Sequence, residues 1–335
     1  MKRLFPIFLF ITALLSPCCA QTVPSEALQQ AMQRDETAFL QSMSPTLQHT
    51  QALAVRMAIQ GDARALQQIR ESRNVAPTLP EGVKAVTLTP IMTLFRSTQP
   101  TSKPRPVLLY LHGGGWCFGS INSCMRFCAA VAKRANICVV ALNYRLAPEH
   151  AYPAPIDDCR MAFNYLKGHA AEFGGDTTRV SIGGDSAGGN LAIATAMTVG
   201  GKSSVYSLIP IYPVTELFTR STPSWRTYAQ GYGDDAELLE AFNEAYAAGQ
   251  QQSPLVSVGL ATDETLQQLP PVLLISAGHD ILFDQTTAWA KRLQSLDHPL
   301  SYHVFPTATH LFITVPGQPT AFNESVRIVS EFLKE

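Results

Sequence analysis

Two periods of apolar residues divide the chain into two parts. From Ser25 to about Ser72 the apolar residues recur at helical spacing, and the first apolar face comprises Leu28, Met32 and Phe39. Asp62 then stands where the N-cap of a further short helix is expected. A proline-containing linker, Asn74–Pro80, follows. The sequence therefore predicts a helical N-terminal region that ends near residue 80.

Beyond the linker, short apolar runs alternate with helical stretches. Val83–Phe95 predicts one or two strands because it is rich in Val, Thr and Ile. The further predicted strands are Val107–Leu111, Ile137–Leu142, Val180–Ile182, Val205–Ile211, Val272–Ser276 and Tyr302–Phe305. The predicted helices include Met125–Ala135, Pro155–His169, Ala187–Thr198, Gln285–Leu296 and Ala321–Leu333. Nearly continuous apolar strands that alternate with helices predict an α/β fold whose parallel sheet is covered on both faces.

One interval interrupts this alternation. The stretch between Pro213 and Leu269 is longer than a crossover connection requires, and it contains a helical pattern near Ala236–Ala248. We interpret it as an insertion that lies over the edge of the sheet.

The first twenty residues have the three-part layout of a secretory signal peptide. Lys2 and Arg3 precede an apolar run, Leu4–Leu15, and small residues then allow cleavage after Ala20. The run is too short to span a bilayer comfortably, which argues against a membrane anchor. A lipoprotein signal with the lipid on one of the two adjacent cysteines, Cys18 and Cys19, is the weaker alternative. We expect the protein to be exported to the periplasm or secreted.

Composition narrows the function classes. Apolar residues make up 46% of the 335 residues and charged residues 15%, which allows a large core. The net charge is −1 and no run of Lys or Arg occurs, which argues against nucleic-acid binding. Cleavage after Ala20 would leave five cysteines, an odd number whose spacing selects no disulfide. Cys124 and Cys128 lack further candidate metal ligands, so we expect no metal site at these cysteines. The sequence implies no other metal and no cofactor.

The most informative stretch is Gly184-Asp185-Ser186-Ala187-Gly188, which lies between a predicted strand and a predicted helix. A serine that attacks a carbonyl must stand clear of its neighbours on a sharp strand-to-helix turn. Glycines two residues to either side relieve the crowding of that turn. The N–H groups at the start of the helix point toward the oxyanion that develops. The pattern predicts Ser186 as a nucleophile.

A second glycine-rich segment, His112-Gly113-Gly114-Gly115-Trp116, follows the predicted strand Val107–Leu111. Three glycines at a strand's carboxyl end let backbone N–H groups approach a ligand closely, as in an oxyanion loop. The expected donors are the N–H groups of Gly114, of one adjacent glycine (Gly113 or Gly115) and of Ala187. We interpret His112 as a structural partner of the loop, whereas Trp116 either walls the pocket or fills the core.

The serine needs a base, and enzymes with such an elbow have the chain order serine, carboxylate, histidine. The histidines that follow Ser186 are His279, His298, His303 and His310. Only His310 comes just after the last predicted strand, where its side chain can reach the serine. In the loop after Val272–Ser276 we favour Asp280 as the acid over Asp284, which we expect to cap the following helix.

Together these segments resemble the hormone-sensitive-lipase-like family of α/β-hydrolase carboxylesterases. The resemblance rests on ordered blocks: His112–Trp116, Tyr144–His150 with Asp157 and Asp158, Gly184–Asn190, Asp280 with Asp284, and His310 with Phe312. It implies a triad of Ser186, Asp280 and His310. It also implies an eight-stranded, mostly parallel sheet and a helical cap, built from the N-terminal helices and the insertion. Glu149 and Asp158 would support the oxyanion loop.

The chain departs from the family pattern at three positions, all of which bear on the shape of the pocket. Gly278 stands where the family usually has Glu, Ile281 where Pro is frequent, and Leu311 where Gly often follows the base. The domain division implied is a signal peptide (1–20), an N-terminal cap region (21–80) and a catalytic domain (81–335) with a cap insertion at about 214–262.

These features predict a serine carboxylesterase that acts on small-molecule esters through an acyl-enzyme. Both cap candidates carry many charged residues, which is unlike the apolar lid of a lipase, so we expect short acyl chains. A deacetylase of acetylated sugars, or an esterase that inactivates an ester-containing drug or toxin, would differ only in the leaving-group pocket. A non-catalytic receptor on this fold is the remote alternative, because such proteins usually lose a member of the triad.

Overall fold

The structure is a computed structural model that describes residues 21–44 and 46–334. Its strands are β1 (Val83–Thr89), β2 (Met92–Ser97), β3 (Arg105–Leu111), β4 (Cys138–Leu142), β5 (Gly175–Asp185), β6 (Leu208–Ile211), β7 (Val272–His279) and β8 (Leu300–Thr309). Its helices are α1 (Glu26–Ser42), α2 (Leu47–Ile59), α3 (Arg64–Arg73), α4 (Ile121–Ala135), α5 (Ala154–His169), α6 (Ala187–Thr198), α7 (Pro223–Thr227), α8 (Ala236–Ala247), α9 (Asp263–Gln267), α10 (Phe283–Ser295) and α11 (Pro319–Phe332). The predicted signal peptide lies outside the described residues.

All eight strands of the described chain form one sheet, in the order β1-β2-β4-β3-β5-β6-β7-β8. β2 is antiparallel to both of its neighbours, and every other pair is parallel. The prediction of a mostly parallel eight-stranded sheet is confirmed. Because parallel strands end at the same edge, the loops after β3, β5, β7 and β8 converge on one side of the molecule.

Helices cover both faces of the sheet, so successive residues of a central strand enter two different cores. Along β3, Val107, Leu109 and Leu111 face a core that includes residues of α5, α6 and α10. Leu108 and Tyr110 face the opposite core, which includes residues of α4 and α11. Burial of both faces explains why the strand sequence shows a continuous apolar run in place of a polar–apolar alternation.

Two helical regions lie over the convergent loops. One consists of α1–α3, and the other contains α7 and α8, within the interval that we predicted to be an insertion. α2 packs against α8, and the carboxylate of Glu237 on α8 lies 2.8 Å from His49 and 3.2 Å from Arg56 of α2. The two segments, distant in sequence, therefore contact each other above the sheet.

Within the described residues, no helix combines the length and apolar character that crossing a membrane requires. The five described cysteines are all buried and have free thiols. No group of three or more His, Cys, Asp or Glu side chains in this part of the chain is arranged to hold a metal ion.

Candidate active site

Ser186 occupies the turn between β5 and α6 in a conformation that side-chain-bearing residues rarely adopt, with φ 54° and ψ −121°. Its N–H donates to the carbonyl of Ile211 at 2.9 Å, and its own carbonyl accepts from Asn190 N–H at 3.1 Å. These bonds hold the turn against β6 on one side and α6 on the other. A strained conformation persists because the surrounding structure holds it in this way. The serine is held at the carboxyl end of the sheet as the motif predicts.

The glycines that flank the serine are required by close packing of the backbone. A Cβ atom on Gly184 would lie 2.5 Å from the backbone of Gly188 and from the carbonyl oxygen of Leu111. A Cβ on Gly188 would collide with the same Leu111 oxygen. The end of β3 therefore approaches the turn so closely that only glycine fits on either side of Ser186.

The candidate acid and base are brought together by the register of two parallel strands. His279 of β7 pairs with Thr309 of β8, so the next residues, Asp280 and His310, lie side by side. His310 Nδ1 is 2.6 Å from Asp280 Oδ2, and both residues are only 1% exposed. The other carboxylate oxygen, Oδ1, accepts from Leu282 N–H at 2.8 Å. Asp280 thus fixes the ring orientation of His310.

The environment of His310 favours its protonated form. Burial lowers the pKa of the imidazole, but the negative charges of Asp280, Asp234 and Asp185 outweigh it and raise the pKa to about 9. The ring packs 4.4 Å from that of Tyr212. Nε2 of His310 has no hydrogen-bond partner among the described residues. This nitrogen is the one that a base must present to a serine hydroxyl.

Two of the three glycines of the oxyanion loop have an N–H group without a hydrogen-bond partner among the described residues. Gly113 N–H donates to Asp185 Oδ1 at 3.2 Å. The expectation that Gly113 is an oxyanion donor is therefore corrected, because this N–H already serves the carboxylate. The N–H groups of Gly114 and Gly115 have no partner among the described residues, and Ala187 is the first residue of α6, where N–H groups lack intrahelical partners. Gly114, Gly115 and Ala187 remain the candidate donors.

Asp185 connects the nucleophile turn to the oxyanion loop, a role that the sequence analysis missed. Its Oδ1 accepts from the hydroxyl of Tyr110 at 2.9 Å as well as from Gly113 N–H. Burial raises the pKa of this carboxyl to about 6, against the opposing effect of the Tyr110 hydrogen bond. The motif itself indicated that Asp185 has such a role, because a charged residue in a buried turn needs hydrogen-bond partners.

His112 and Trp116, which flank the glycines, are both part of the core. The His112 ring stacks on Tyr144 with centroids 4.3 Å apart, and burial lowers its pKa to about 4. It is therefore a neutral, structural residue, as we expected from the sequence. Trp116 is fully buried and stacks on Tyr246 of α8 at 4.3 Å. Of the two roles left open for Trp116, the structure supports the core role.

Glu149 acts on the oxyanion loop through an arginine of the N-terminal helices. The guanidinium of Arg70 on α3 donates to both Glu149 carboxylate oxygens, at 2.7 and 2.9 Å. The same group donates to the carbonyls of Cys117, at 2.8 Å, and Ala147, at 2.7 Å. Arg70, which the sequence analysis did not single out, thus ties α3 to the loop. Its contacts could not be predicted from the local sequence pattern because its partners are distant in sequence.

Asp158 and Asp284 support the site from further away. Asp158 accepts from the backbone N–H of Arg145 at 2.8 Å and from the Arg145 guanidinium, so it stabilises the segment before Glu149 and not the oxyanion loop itself. Asp284 is not the N-cap of α10, because that position belongs to Leu282. Its carboxylate accepts from Ser224 N–H at 2.7 Å and so connects α10 to α7 of the insertion.

A cavity of about 640 Å³ opens above the serine, between the sheet edge and the two helical regions. Its floor includes Ser186, Gly113 and Gly114. Its upper wall combines apolar and polar side chains, including Phe39, Leu47, Leu238, Phe242, Gln48, Arg73 and Asp234. The volume lies in the range of small-molecule sites.

Two departures from the family pattern have local explanations. Leu311 adopts φ 75°, the left-handed region in which glycine is favoured, and it lines the cavity. At Gly278, a Cβ atom would collide with the backbone of Pro306 on the neighbouring strand, which leaves no room for the usual Glu. Leu311 therefore adds bulk at the cavity, whereas the backbone of the neighbouring strand restricts position 278 to glycine.

Comparisons with known proteins place the chain in one family. A family model for the alpha/beta hydrolase fold matches residues 108–314. Esterase LipI of Mycobacterium tuberculosis is 33% identical over 232 residues, which cover 68% of this chain and 72% of the relative. An ethyl acetate hydrolase of Pseudomonas putida is 33% identical over 233 residues, again with 68% and 72% coverage. Across the curated relatives compared, the matched segment spans 57% to 75% of the relative's length.

Solved structures agree with this assignment. A fungal esterase from Rhizomucor miehei has a TM-score of 0.71 and 25% identity, with 85% of this chain and 96% of that chain covered. The fold, the ordered motifs and the relatives all indicate the same family. This chain belongs to the hormone-sensitive-lipase-like carboxylesterases, carboxylic ester hydrolases of the α/β-hydrolase fold.

Proposed function

We propose that this protein is a serine carboxylesterase that hydrolyses short-chain acyl esters through an acyl-enzyme, with Ser186 as nucleophile. The observation that carries the proposal is the buried pair of His310 and Asp280, at 2.6 Å, whose free nitrogen Nε2 is at the cavity end of the sheet. The cavity above Ser186 is of a size that accepts a small ester.

In the proposed reaction Ser186 Oγ attacks the ester carbonyl while His310 Nε2 takes the hydroxyl proton. Asp280 holds the imidazole in place and stabilises its cation. The N–H groups of Gly114, Gly115 and Ala187 stabilise the negative charge on the tetrahedral intermediate. His310 then protonates the departing alcohol, and the acyl group stays on Ser186. Water, activated by the same imidazole, releases the acid and restores the serine.

The upper wall of the cavity supports a preference for short acyl chains, of about two to six carbons. Each buried CH₂ contributes roughly 0.8 kcal/mol, but only where an apolar groove receives it. Gln48, Arg73 and Asp234 interrupt the apolar wall with polar groups that would lose water contacts against a long chain. The likeness to an ethyl acetate hydrolase supports the same class of substrate.

The test is a series of p-nitrophenyl esters from acetate to palmitate, assayed with purified protein. We expect kcat/KM to be highest among the short esters and to fall for the longer ones. A specificity constant that keeps rising beyond about ten carbons, or activity that jumps on emulsified triglyceride, would contradict the short-chain proposal. A complete lack of ester hydrolysis would contradict the esterase itself.

We also propose that the protein is exported and that its N-terminal helices and insertion together form a cap. The proposal of export is supported by the basic, apolar and small-residue order of residues 1–20. The cap is supported by the contact of α2 with α8 above the cavity. The intact mass of protein recovered from outside the host cytoplasm should correspond to a chain that begins at Gln21. A mass that retains residues 1–20, or that includes a lipid, would contradict cleavage after Ala20.

A further inference from the structure

A carboxylate of the insertion faces the proposed catalytic base. Asp234 Oδ2 lies 3.4 Å from His310 Nε2, on the opposite side of the ring from Asp280. The residue is 8% exposed and forms part of the cavity wall. The contact is an ion pair without hydrogen-bond geometry, so Nε2 remains open to a hydroxyl group. None of the sequence motifs includes Asp234.

The turn that carries Asp234 is fixed by both helical regions. The side-chain amide of Gln48 on α2 donates to the carbonyl of Gly233 at 2.5 Å. Asp235, the N-cap residue of α8, accepts from Gly231 N–H at 2.7 Å. Gly233, at φ 115°, lies against the carbonyl of His310, since a Cβ there would be 3.5 Å from that oxygen. The position of Asp234 is therefore set by the packing of the two regions over the sheet.

Several charged or titratable groups surround the imidazole. Asp280 follows β7, Asp185 ends β5, Tyr212 follows β6, and Asp234 comes from the insertion. Arg73 on α3 interacts electrostatically with Asp234, and its guanidinium lies 5.2 Å from the Phe118 ring. Asp280 alone neutralises a protonated imidazole. The charge of Asp234 is thus additional to what the proposed triad requires.

We propose that Asp234 is a positioning residue that holds His310 in its protonated form and so sets the pH above which the enzyme is active. This inference deepens the proposed function and rests on it, since it concerns the base of that reaction. The base must be neutral to accept the proton of Ser186. Any group that stabilises the imidazolium therefore moves the onset of activity to higher pH.

The direction of the effect follows from the two protonation states. The pKa of His310 is raised to about 9: burial lowers it, and the charges of Asp280 and then Asp234 raise it further than burial lowers it. Below this pKa the imidazole is protonated and cannot act as a base, so kcat/KM rises with pH through it. Removal of the Asp234 charge lowers the pKa, and the acidic limb of the profile moves to lower pH.

The experiment compares the pH profiles of kcat/KM for p-nitrophenyl acetate in the wild type, in Asp234→Asn and in Asp235→Asn. An opposite charge this close shifts a pKa by about one unit or more, so we expect the acidic limb of Asp234→Asn to move down by about one unit. At a pH below the acidic limb, kcat/KM of Asp234→Asn is then about tenfold higher than that of the wild type. Asp235→Asn makes the same charge change on the neighbouring residue, keeps a good N-cap, and should leave the limb in place.

Two outcomes would overturn the inference. One is an acidic limb of Asp234→Asn that coincides with the wild type, and the other is an equal shift in Asp235→Asn. If Asp234→Asn fails to fold, Gln48→Ala tests the same contact, because it releases the turn while it keeps the carboxylate. Gln48→Ala should shift the limb in the same direction by a smaller amount, and an unchanged limb in that variant would contradict the inference.

An NMR titration of the His310 imidazole separates this inference from the proposed function. The resonance is assigned by its absence in His310→Asn. We expect its titration midpoint to fall by about one unit in Asp234→Asn and to stay unchanged in Asp235→Asn. Protein that hydrolyses no ester at any pH would defeat the proposed function. The NMR shift would then still report whether Asp234 holds the imidazolium, and an unchanged midpoint would defeat that claim alone.

Discussion

The cavity has two sides that are built in different ways. On the sheet side, Ser186, Asp280 and His310 each follow directly after a strand, and the register of β7 and β8 brings Asp280 and His310 together. On the side of the helices, the polar groups come from separate segments, with Gln48 on α2 and Asp234 on the insertion. The residues on the first side lie at the ends of strands, which local sequence patterns reveal. The second depends on side-chain contacts between segments far apart in sequence, which no local motif reveals.

The largest expected effect on the sheet side distinguishes the two candidate acids. Asp280→Asn should lower kcat by about 10⁴-fold with the fold intact, because the imidazole loses its orienting partner. Asp284→Asn should leave kcat within about twofold and lower the free energy of unfolding by about 1 kcal/mol, since it weakens the bond to Ser224. Kinetics and thermal unfolding of the two variants provide the comparison. The reverse pattern would show that Asp284 is the acid.

A smaller effect is expected where the helical side meets the oxyanion loop. Arg70→Ala removes donors to Cys117 and Ala147, so we expect kcat/KM to fall about tenfold, which corresponds to about 1.4 kcal/mol of transition-state stabilisation. Arg64→Ala on the same helix is the matched control, because Arg64 is highly exposed and, within the described part of the chain, forms an ion pair only with Asp62. We expect no measurable change there. Equal losses in both variants would mean that α3 acts through its general stability and not through this contact.

The fold could be predicted from sequence wherever one strand or helix carries its own signal. Val107–Leu111 lies within β3, and Ala187–Thr198 matches α6. The prediction for β5 was too short, because Gly175–Thr178 is polar and lacks the apolar signal although it lies in the strand. The N-cap of α3 is Ala63, one residue after the expected Asp62. Asp62 nevertheless accepts from Arg64 N–H at 3.2 Å, which explains why its position looked like a cap.

The residues of the candidate site likewise fall into those that a local sequence pattern reveals and those that it does not. Glycine motifs and chain order singled out Ser186 and His310 because the chemistry restricts which residues can follow a strand. Gly113 was included among the oxyanion donors because three adjacent glycines are equivalent in sequence. Only the contact with Asp185 distinguishes it from the others. Asp234 could not be found at all, since the packing of the insertion determines which of the six acidic residues in 214–262 reaches His310.

The central claim, that Ser186 is the nucleophile of an acyl-enzyme, is tested most directly by covalent labelling. A p-nitrophenyl phosphonate should add one phosphonyl group per chain, and peptide mass spectrometry should place it on Ser186. The Ser186→Ala variant should remain folded, take up no label and lose ester hydrolysis by several orders of magnitude. Label on another residue, or a Ser186→Ala variant that keeps a tenth of the wild-type activity, would contradict the account.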